Sequence, residues 1–407
     1  MDLASLGRAL SHRNFRLFVF GQGVSLIGTW MQQVALAWLV FVLTGSSSQS
    51  SFWLGLVGFC GQAPALLLAP FAGVIVDRAN RHRLLLVTQT LMMLQAFGVA
   101  ALAFSGRADV PSLVALSLFL GVVNVFDMTA RQAFYTEMLD RREDLANAIA
   151  LNSSIVNGSR LVGPALAGLL LAETSAGVCF AVNGVSYLAV LAALLAMRLP
   201  ARPRPPVRGR IVAGLREGLA YALGFAPIRS ILLLLSLVSL MGMSYAVLLP
   251  VFASDVLHGG PTTYGLLTAA SGVGALAGAL LLAARHSVLG LGRWITFTPA
   301  LFGAALIGFS FSTTLWLSLP LLTVAGFAMM VQMASSNTVL QTIVEEDKRG
   351  RVMSLYTMAF LGTAPLGSLL AGWLADVIGP PKMVRLGGAC CVLGSALFAT
   401  QLPRLRA

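Results

Sequence analysis

Twelve windows of about twenty apolar residues recur along the chain, each long enough to cross a bilayer, and no other feature limits the fold as tightly. Six fall near residues 17–43, 52–76, 84–105, 111–131, 148–171 and 177–197, and six more near 230–254, 263–284, 293–311, 315–339, 353–376 and 383–400. In lipid a segment of this kind has to satisfy its own backbone hydrogen bonds, which the α-helix does within one stretch. The expected fold class is therefore an all-α integral membrane protein with twelve transmembrane helices. Composition agrees: 57% of residues are hydrophobic and 10% charged, outside the range of soluble globular domains. The first window carries glutamines and reads as a retained span rather than a cleaved signal.

The formal net charge is +12, yet the cations lie between the apolar windows rather than on one face, so their expected partner is membrane lipid and not nucleic acid. Twelve spans put both termini on one side, and the loops of that side hold 23 of the 27 Lys and Arg. The excess of cations predicts that side to be cytoplasmic, in a cytoplasmic (inner) membrane. The stretch 198–216, RLPARPRPPVRGRIVAGLR, combines prolines with six arginines and is the one clear linker. The expected organisation is residues 1–197 as one six-helix bundle, 198–227 as a basic linker with a short interfacial helix, and 228–407 as a second bundle. Cys60, Cys179, Cys390 and Cys391 show no metal or redox spacing, and the four histidines are too scattered to form a ligand set.

An unpaired charge inside a bilayer costs roughly 2.5–3.5 kcal/mol on insertion scales, so each instance calls for a partner. Asn124, Asp127 and Arg131 share one face of span four, and Ser153, Asn157, Arg160 and Pro164 share one face of span five. These predict a neutralised cluster joining spans four and five to the turn at Asp77. Two readings stand: a gate made in the outward-open form and broken in the inward-open one, or a static ion pair with Arg160 reaching toward the headgroups. Gly158, Gly163, Pro164 and Gly168 put small residues and a helix breaker along span five, marking a bend at a moving helix contact, with Pro365 as the counterpart in span eleven. A polar stripe at Gln22, Ser25, Thr29 and Gln33 in span one has counterparts at Gln332, Ser335 and Ser336 in span ten and at Ser236, Ser239 and Met243 in span seven. In lipid such faces either line a substrate cavity or make interhelical hydrogen bonds. No acid stands in the middle of spans one, two, seven, eight, ten or eleven. A neutral, amphipathic or anionic ligand therefore fits better than a cation.

The turn between spans two and three reads GVIVDRANRHR, from Gly73 to Arg83. It resembles the signature loop of the major facilitator superfamily, G-x-x-x-D-R-x-x-R-R, through Gly73, Asp77, Arg78 and Arg81, with His82 where a second arginine is usual. GTWMQQVALAWLVFVLTGS (28–46), ARQAFYTEML (130–139), DLANAIALNS (144–153), RLVGPALAGLL (160–170) and RGRVMSLY (349–356) are similar to the enterobactin-exporter-like and macrolide-efflux-like branch of that superfamily. The resemblance implies two six-helix bundles, alternating access and export driven by proton exchange. It makes Gly73, Asp77, Arg78 and Arg81 a conformational latch, Asp127 and Arg131 its inner-side partners, and Arg160 with Gly163 and Pro164 the span-five hinge. Two departures stand out. The antiporter motif G-P-x-x-G-G is GPALAG here, and Thr29 occupies a position where some relatives carry an acid, leaving Asp127 as the candidate coupling residue.

The expected function is secondary active export of an amphipathic small molecule such as a siderophore, macrolide or drug-like compound, with protons as the coupling partner. The alternatives are an importer or uniporter of the same fold, or a sensor with a degenerate transporter fold. An enzyme is not expected, because no nucleophile and base or metal set stands at membrane depth, and no cofactor is called for. An ATP-driven pump is disfavoured by the lack of a G-x-x-x-x-G-K-[ST] loop.

Overall fold

The computed structural model describes residues 8–45, 49–198, 220–285, 287 and 289–401. Most of the expected linker and its interfacial helix lie outside the described residues. The described chain holds twelve helices long and apolar enough to cross a membrane. They are α1 (Arg13–Thr44), α2 (Ser50–Arg78), α3 (Arg81–Phe104), α4 (Val110–Met138), α5 (Leu145–Glu173) and α6 (Ala176–Leu195). The second six are α7 (Ala226–Val256), α8 (Pro261–Ala283), α9 (Leu291–Phe311), α10 (Leu315–Ile343), α11 (Lys348–Ile378) and α12 (Pro380–Gln401).

Short connections and good caps set the up-and-down course. Asn80 accepts from the Arg83 N–H at 3.1 Å to start α3, and Asp109 accepts from the Ser112 N–H at 2.9 Å to start α4. Each satisfies one of the backbone donors that a helix start leaves unpaired. Gly379, at φ 92°, turns the chain between α11 and α12 in a conformation that residues with a side chain rarely adopt.

Two spans of the second half are interrupted. α7 carries π-helical turns at Val238–Gly242 and Phe252–Val256, and α11 carries one at Met358–Gly362. The α11 turn stands just ahead of Pro365, whose missing N–H and bulky ring cannot continue the ordinary pattern. The bulges meet: Ser239 Oγ donates to the Phe360 carbonyl at 2.6 Å. α5 behaves differently, since it runs as α-helix from Leu145 to Glu173 with Pro164 inside it. Interruption at paired positions is thus seen at Pro365 but not at Pro164.

The halves touch mainly through α2 against α11 and α5 against α8. One apolar core runs through the second half and into the first at the end of the bundle away from the termini, joining Leu54, Val57 and Ala167 to Leu248, Tyr264 and Leu267. A separate core, with Phe15, Phe18, Phe134 and Leu194, lies in the first half at the end that carries the termini. The two ends are called the far end and the terminal end below.

Candidate functional site

At the far end the two interfaces are built on glycine. A Cβ on Gly168 of α5 would lie 3.0 Å from Gly265 Cα, and one on Gly265 of α8 would lie 2.7 Å from the Pro164 carbonyl. A Cβ on Gly372 of α11 would lie 3.0 Å from Gly55 Cα of α2, and the reverse distance is also 3.0 Å. Backbones this close seal the space between the halves without side chains. Hydrogen bonds also cross here, among them that from the Phe52 N–H to Asp376 at 3.1 Å and that from Thr262 Oγ1 to the Gly168 carbonyl at 3.3 Å. The α5–α8 contact continues inward to Arg160, whose carbonyl Pro164 leaves without its usual helical donor. A Cβ on Gly272 would stand 3.0 Å from that oxygen. The α2–α11 contact continues to Leu66 and Gly362. Further toward the terminal end the helices part: a Cβ on Gly73 or Gly158 would meet nothing within 4 Å, and Ser153 and Ser154 are exposed. The halves are thus in closest contact at the far end and less tightly packed toward the terminal end.

The charged residues form three separate groups rather than one cluster. Arg81 bridges Asp77 at 3.2 Å and Glu137, near the end of α4, at 3.0 Å. Arg78 is exposed, with no ion-pair partner among the described residues. Asp127 is fully buried between α3 and α4, where it accepts from Thr88 and Gln89 at 2.8 Å each and pairs with Arg131. Arg160 joins neither group. Its guanidinium lies 5.5 Å from the centre of the Trp30 ring on α1. The expected link from span five to Asp127 is corrected accordingly: α5 turns Arg160 toward α1 and α8, while Asp127 faces α3. The expected pairing of the Asp77 turn with Asp127 and Arg131 is replaced by Glu137, which the sequence reading passed over although it stands on the same helix.

A cation–π contact is worth about 0.5–2 kcal/mol, less than the roughly 2.5–3.5 kcal/mol that a charge costs at mid-membrane. Trp30 alone therefore does not offset the Arg160 charge.

The polar stripes are resolved by burial. Gln22 is 3% exposed and Ser25 1% exposed, both inside the first bundle. Thr29 donates to the Ser25 carbonyl at 2.9 Å, and Gln33 is exposed. Gln32, beside the stripe, is held at 2.9 Å by Gln95 and at 2.6 Å by Asn183, a network joining α1, α3 and α6. In the second half Gln332 accepts from Thr298 at 2.8 Å and donates to Ser336 at 3.4 Å, and both Gln332 and Ser336 are buried. Ser239 is buried against α11, and Met243 is partly exposed. For Gln22, Ser25, Ser239, Gln332 and Ser336 the structure thus gives buried positions within a bundle; Ser239, Gln332 and Ser336 are hydrogen-bonded there, as burial of a polar group requires, whereas Gln22 Oε1 has no partner among the described residues.

Comparison with known proteins bears on the whole chain. Residues 5–407 match the family described as transmembrane secretion effector. The chain belongs to that family. The chain is 28% identical over 373 residues to the staphyloferrin A transporter of Staphylococcus aureus, covering 91% of this chain and 92% of the relative. It is 28% identical over 400 residues to the multidrug efflux pump Tap of Mycolicibacterium fortuitum, covering 96% of each. Macrolide efflux protein A of Streptococcus pyogenes is 24% identical over 382 residues, covering 91% of this chain and 92% of the relative. These relatives agree with the branch that the sequence motifs resemble. The fold is shared with solved transporters: the bacterial homologue of the human lysosomal transporter Spinster, inward-facing and unoccupied, superposes with TM-score 0.70 at 15% identity, covering 96% of this chain and 95% of that one. The nucleoside transporter NupG gives TM-score 0.72 at 13% identity, covering 97% of this chain and 99% of that one. The family and these relatives are transporters, not enzymes, and the chain is a multi-pass membrane transporter of the major facilitator fold.

Proposed function

We propose that the protein exports an amphipathic small molecule by alternating access, in exchange for protons, with its terminal end in the cytoplasm. The observation that carries this is the glycine-on-glycine contact of the halves at the far end against their looser packing toward the terminal end, which we read as a cleft between the halves that opens at the terminal end. A transporter of this architecture works by rocking one half against the other around a central site. The far-end contacts are made largely by small residues and lie where such rocking would break them. On this reading the cation-rich loops face the cytoplasm, and the conformation described is the inward-open one. Relatives named as a staphyloferrin A transporter, a multidrug efflux pump and a macrolide efflux protein support an amphipathic cargo.

Asp77, Arg78, Arg81 and Gly73 act in this reading as the inner latch, and Gly158, Gly163, Pro164, Gly168 and Pro365 as the positions that bend or slide. Asp127 is the acid to examine for proton coupling, since it lies within a span and its network would have to open for a proton to enter. The test is proton-gradient-dependent extrusion from reconstituted vesicles, with siderophores, macrolides and dye-like amphipaths, in wild type and Asp127→Asn. Extrusion that collapses with an uncoupler supports antiport, and its loss in a folded Asp127→Asn assigns coupling to that residue. Extrusion that survives the uncoupler rejects proton exchange and leaves Asp127 structural.

A further inference from the structure

We infer that Arg160 forms an anion subsite in the cleft, and that the transported molecules are recognised through a carboxylate or similar anionic group. This rests on the cleft being the transport pathway. Arg160 stands at the middle of the 29-residue helix α5. At 1.5 Å per residue about 20 Å of helix separates it from either end, which places it inside a hydrocarbon core about 30 Å thick. Its guanidinium must find what it needs within the protein or in the cleft.

The protein supplies little. The Trp30 ring packs beside the guanidinium, and no carboxylate lies within ion-pair distance of Arg160 among the described residues. A ring face attracts the charge but accepts no conventional hydrogen bonds, so the fork of five N–H donors is left for an acceptor. Placement supplies the rest. Ser153, Asn157, Arg160, Pro164 and Gly168 fall on one stripe of α5. At its far-end part Gly168 and the Pro164 carbonyl pack on Gly265 of α8. The Arg160 carbonyl still packs on Gly272 of α8, and only beyond it does the stripe part from α8, with Ser153 exposed, Asn157 and the Arg160 side chain partly exposed, and open space at Gly158. The half-exposed guanidinium therefore faces the cleft at mid-depth.

The other charges within this depth do not cancel it. Asp127 is fully buried in the first bundle and already paired with Arg131. Tyr245, on α7 of the opposite half, lies within electrostatic reach of Arg160, and its hydroxyl is engaged with Ser271 at 2.8 Å. A planar guanidinium beside an indole ring matches a ligand with an anionic group on an apolar body: the fork takes two oxygens, and the ring meets the body.

Equilibrium binding to the purified full chain in detergent tests this, using a dansylamino-undecanoic acid and its methyl ester, followed by dansyl fluorescence. The acid is expected to bind wild type about tenfold more tightly than the ester, the gain of one charge-assisted contact. In Arg160→Gln the two should bind alike, and Arg160→Lys should keep most of the preference. Equal binding to wild type, a preference that persists in Arg160→Gln, or no binding of the acid would overturn the proposal. A second measurement needs no change at Arg160. With native cysteines removed, Asn157→Cys should react faster with an anionic thiosulfonate than with a cationic one, after correction for their rates with a free thiol. A corrected ratio at or below one also overturns it. Loss of the acid preference with extrusion intact removes the subsite and keeps the exporter. An intact preference without extrusion does the reverse.

Discussion

Asp376, on α11 of the second half, accepts a hydrogen bond at 3.1 Å from the backbone N–H of Phe52, in the first turn of α2 of the first half. The carboxylate thus serves a helix start across the interface, where both the unpaired N–H groups and the helix dipole favour an anion. Ser51 also faces it. In the alternating-access account this bond exists while the far end is closed and is lost when it opens.

Asp376→Asn should therefore loosen the far end. A hydrogen bond to a charged group contributes about 1.5–3 kcal/mol when well sheltered, and the half-exposed setting of Asp376 reduces that to roughly 1 kcal/mol. The labelling rate of a single cysteine at Ser51, 3% exposed in the native chain, by an impermeant maleimide from the far side should rise about fivefold. An unchanged rate would remove Asp376 from the closure.

Gly265→Val should harm the same closure by a different route. The new Cβ would stand 2.7 Å from the Pro164 carbonyl and 2.8 Å from Gly168 Cα, backbone atoms that cannot swing aside. Overpacking of this kind costs about 1–3 kcal/mol. Extrusion should fall and thermal stability drop by a few degrees, while Gly98→Ala in α3, which meets open space, should leave both unchanged. Equal effects at the two positions would argue against glycine packing as the seal.

The number of spans was legible in the sequence because a bilayer imposes a length on every crossing segment, and the motifs around Asp77 and Pro164 were enough to place the family. Rotation and partners were not. Periodicity places Arg160 and Pro164 on one face of α5 but does not say which helix that face meets, so Arg160 was assigned to Asp127 when it lies over Trp30. The stripe at Gln22 and Ser25 was equally consistent with a cavity wall and with the buried interior it occupies. Asp376 was passed over because it sits at the end of a span, where an acid is ordinary. Its significance lies in a helix 324 residues away in sequence.

The Asp127 and Arg131 pair should behave as a coupled unit. Removing one member of a buried pair costs about 3–5 kcal/mol, whereas replacing both with neutral groups is far milder. Arg131→Gln should shorten the thermal inactivation half-life in detergent sharply, and the double variant Asp127→Asn with Arg131→Gln should recover much of it. A double variant no better than the worse single one would show that the two act independently.

His12, just before α1, sits between two acids of the α4–α5 connection, with Asp140 at 3.0 Å and Asp144 at 2.8 Å. Burial works against its protonation, but the hydrogen bonds and charges of Asp140 and Asp144 outweigh it and raise its pKa above the ordinary 6.5. A raised value means the charged form is favoured by folding, so the contribution to stability is full below pH 6.5 and is lost as pH rises through the raised value. Hydrogen exchange at residues 9–12, compared across that range after correction for intrinsic rates, should show weaker protection at the higher pH. In His12→Ala the protection should be low and flat with pH. A pH dependence that persists in the variant would assign it to another group.

The central claim is that the far end must open in every cycle. Cysteines in place of Ser51 and Asp376, on a background without the native cysteines, join α2 to α11 across the two halves when oxidised or bridged by a short thiol cross-linker. The account predicts that extrusion of a substrate identified in the vesicle screen stops on cross-linking and returns on reduction, while its binding from the terminal end persists. Extrusion that continues in fully cross-linked protein would contradict it.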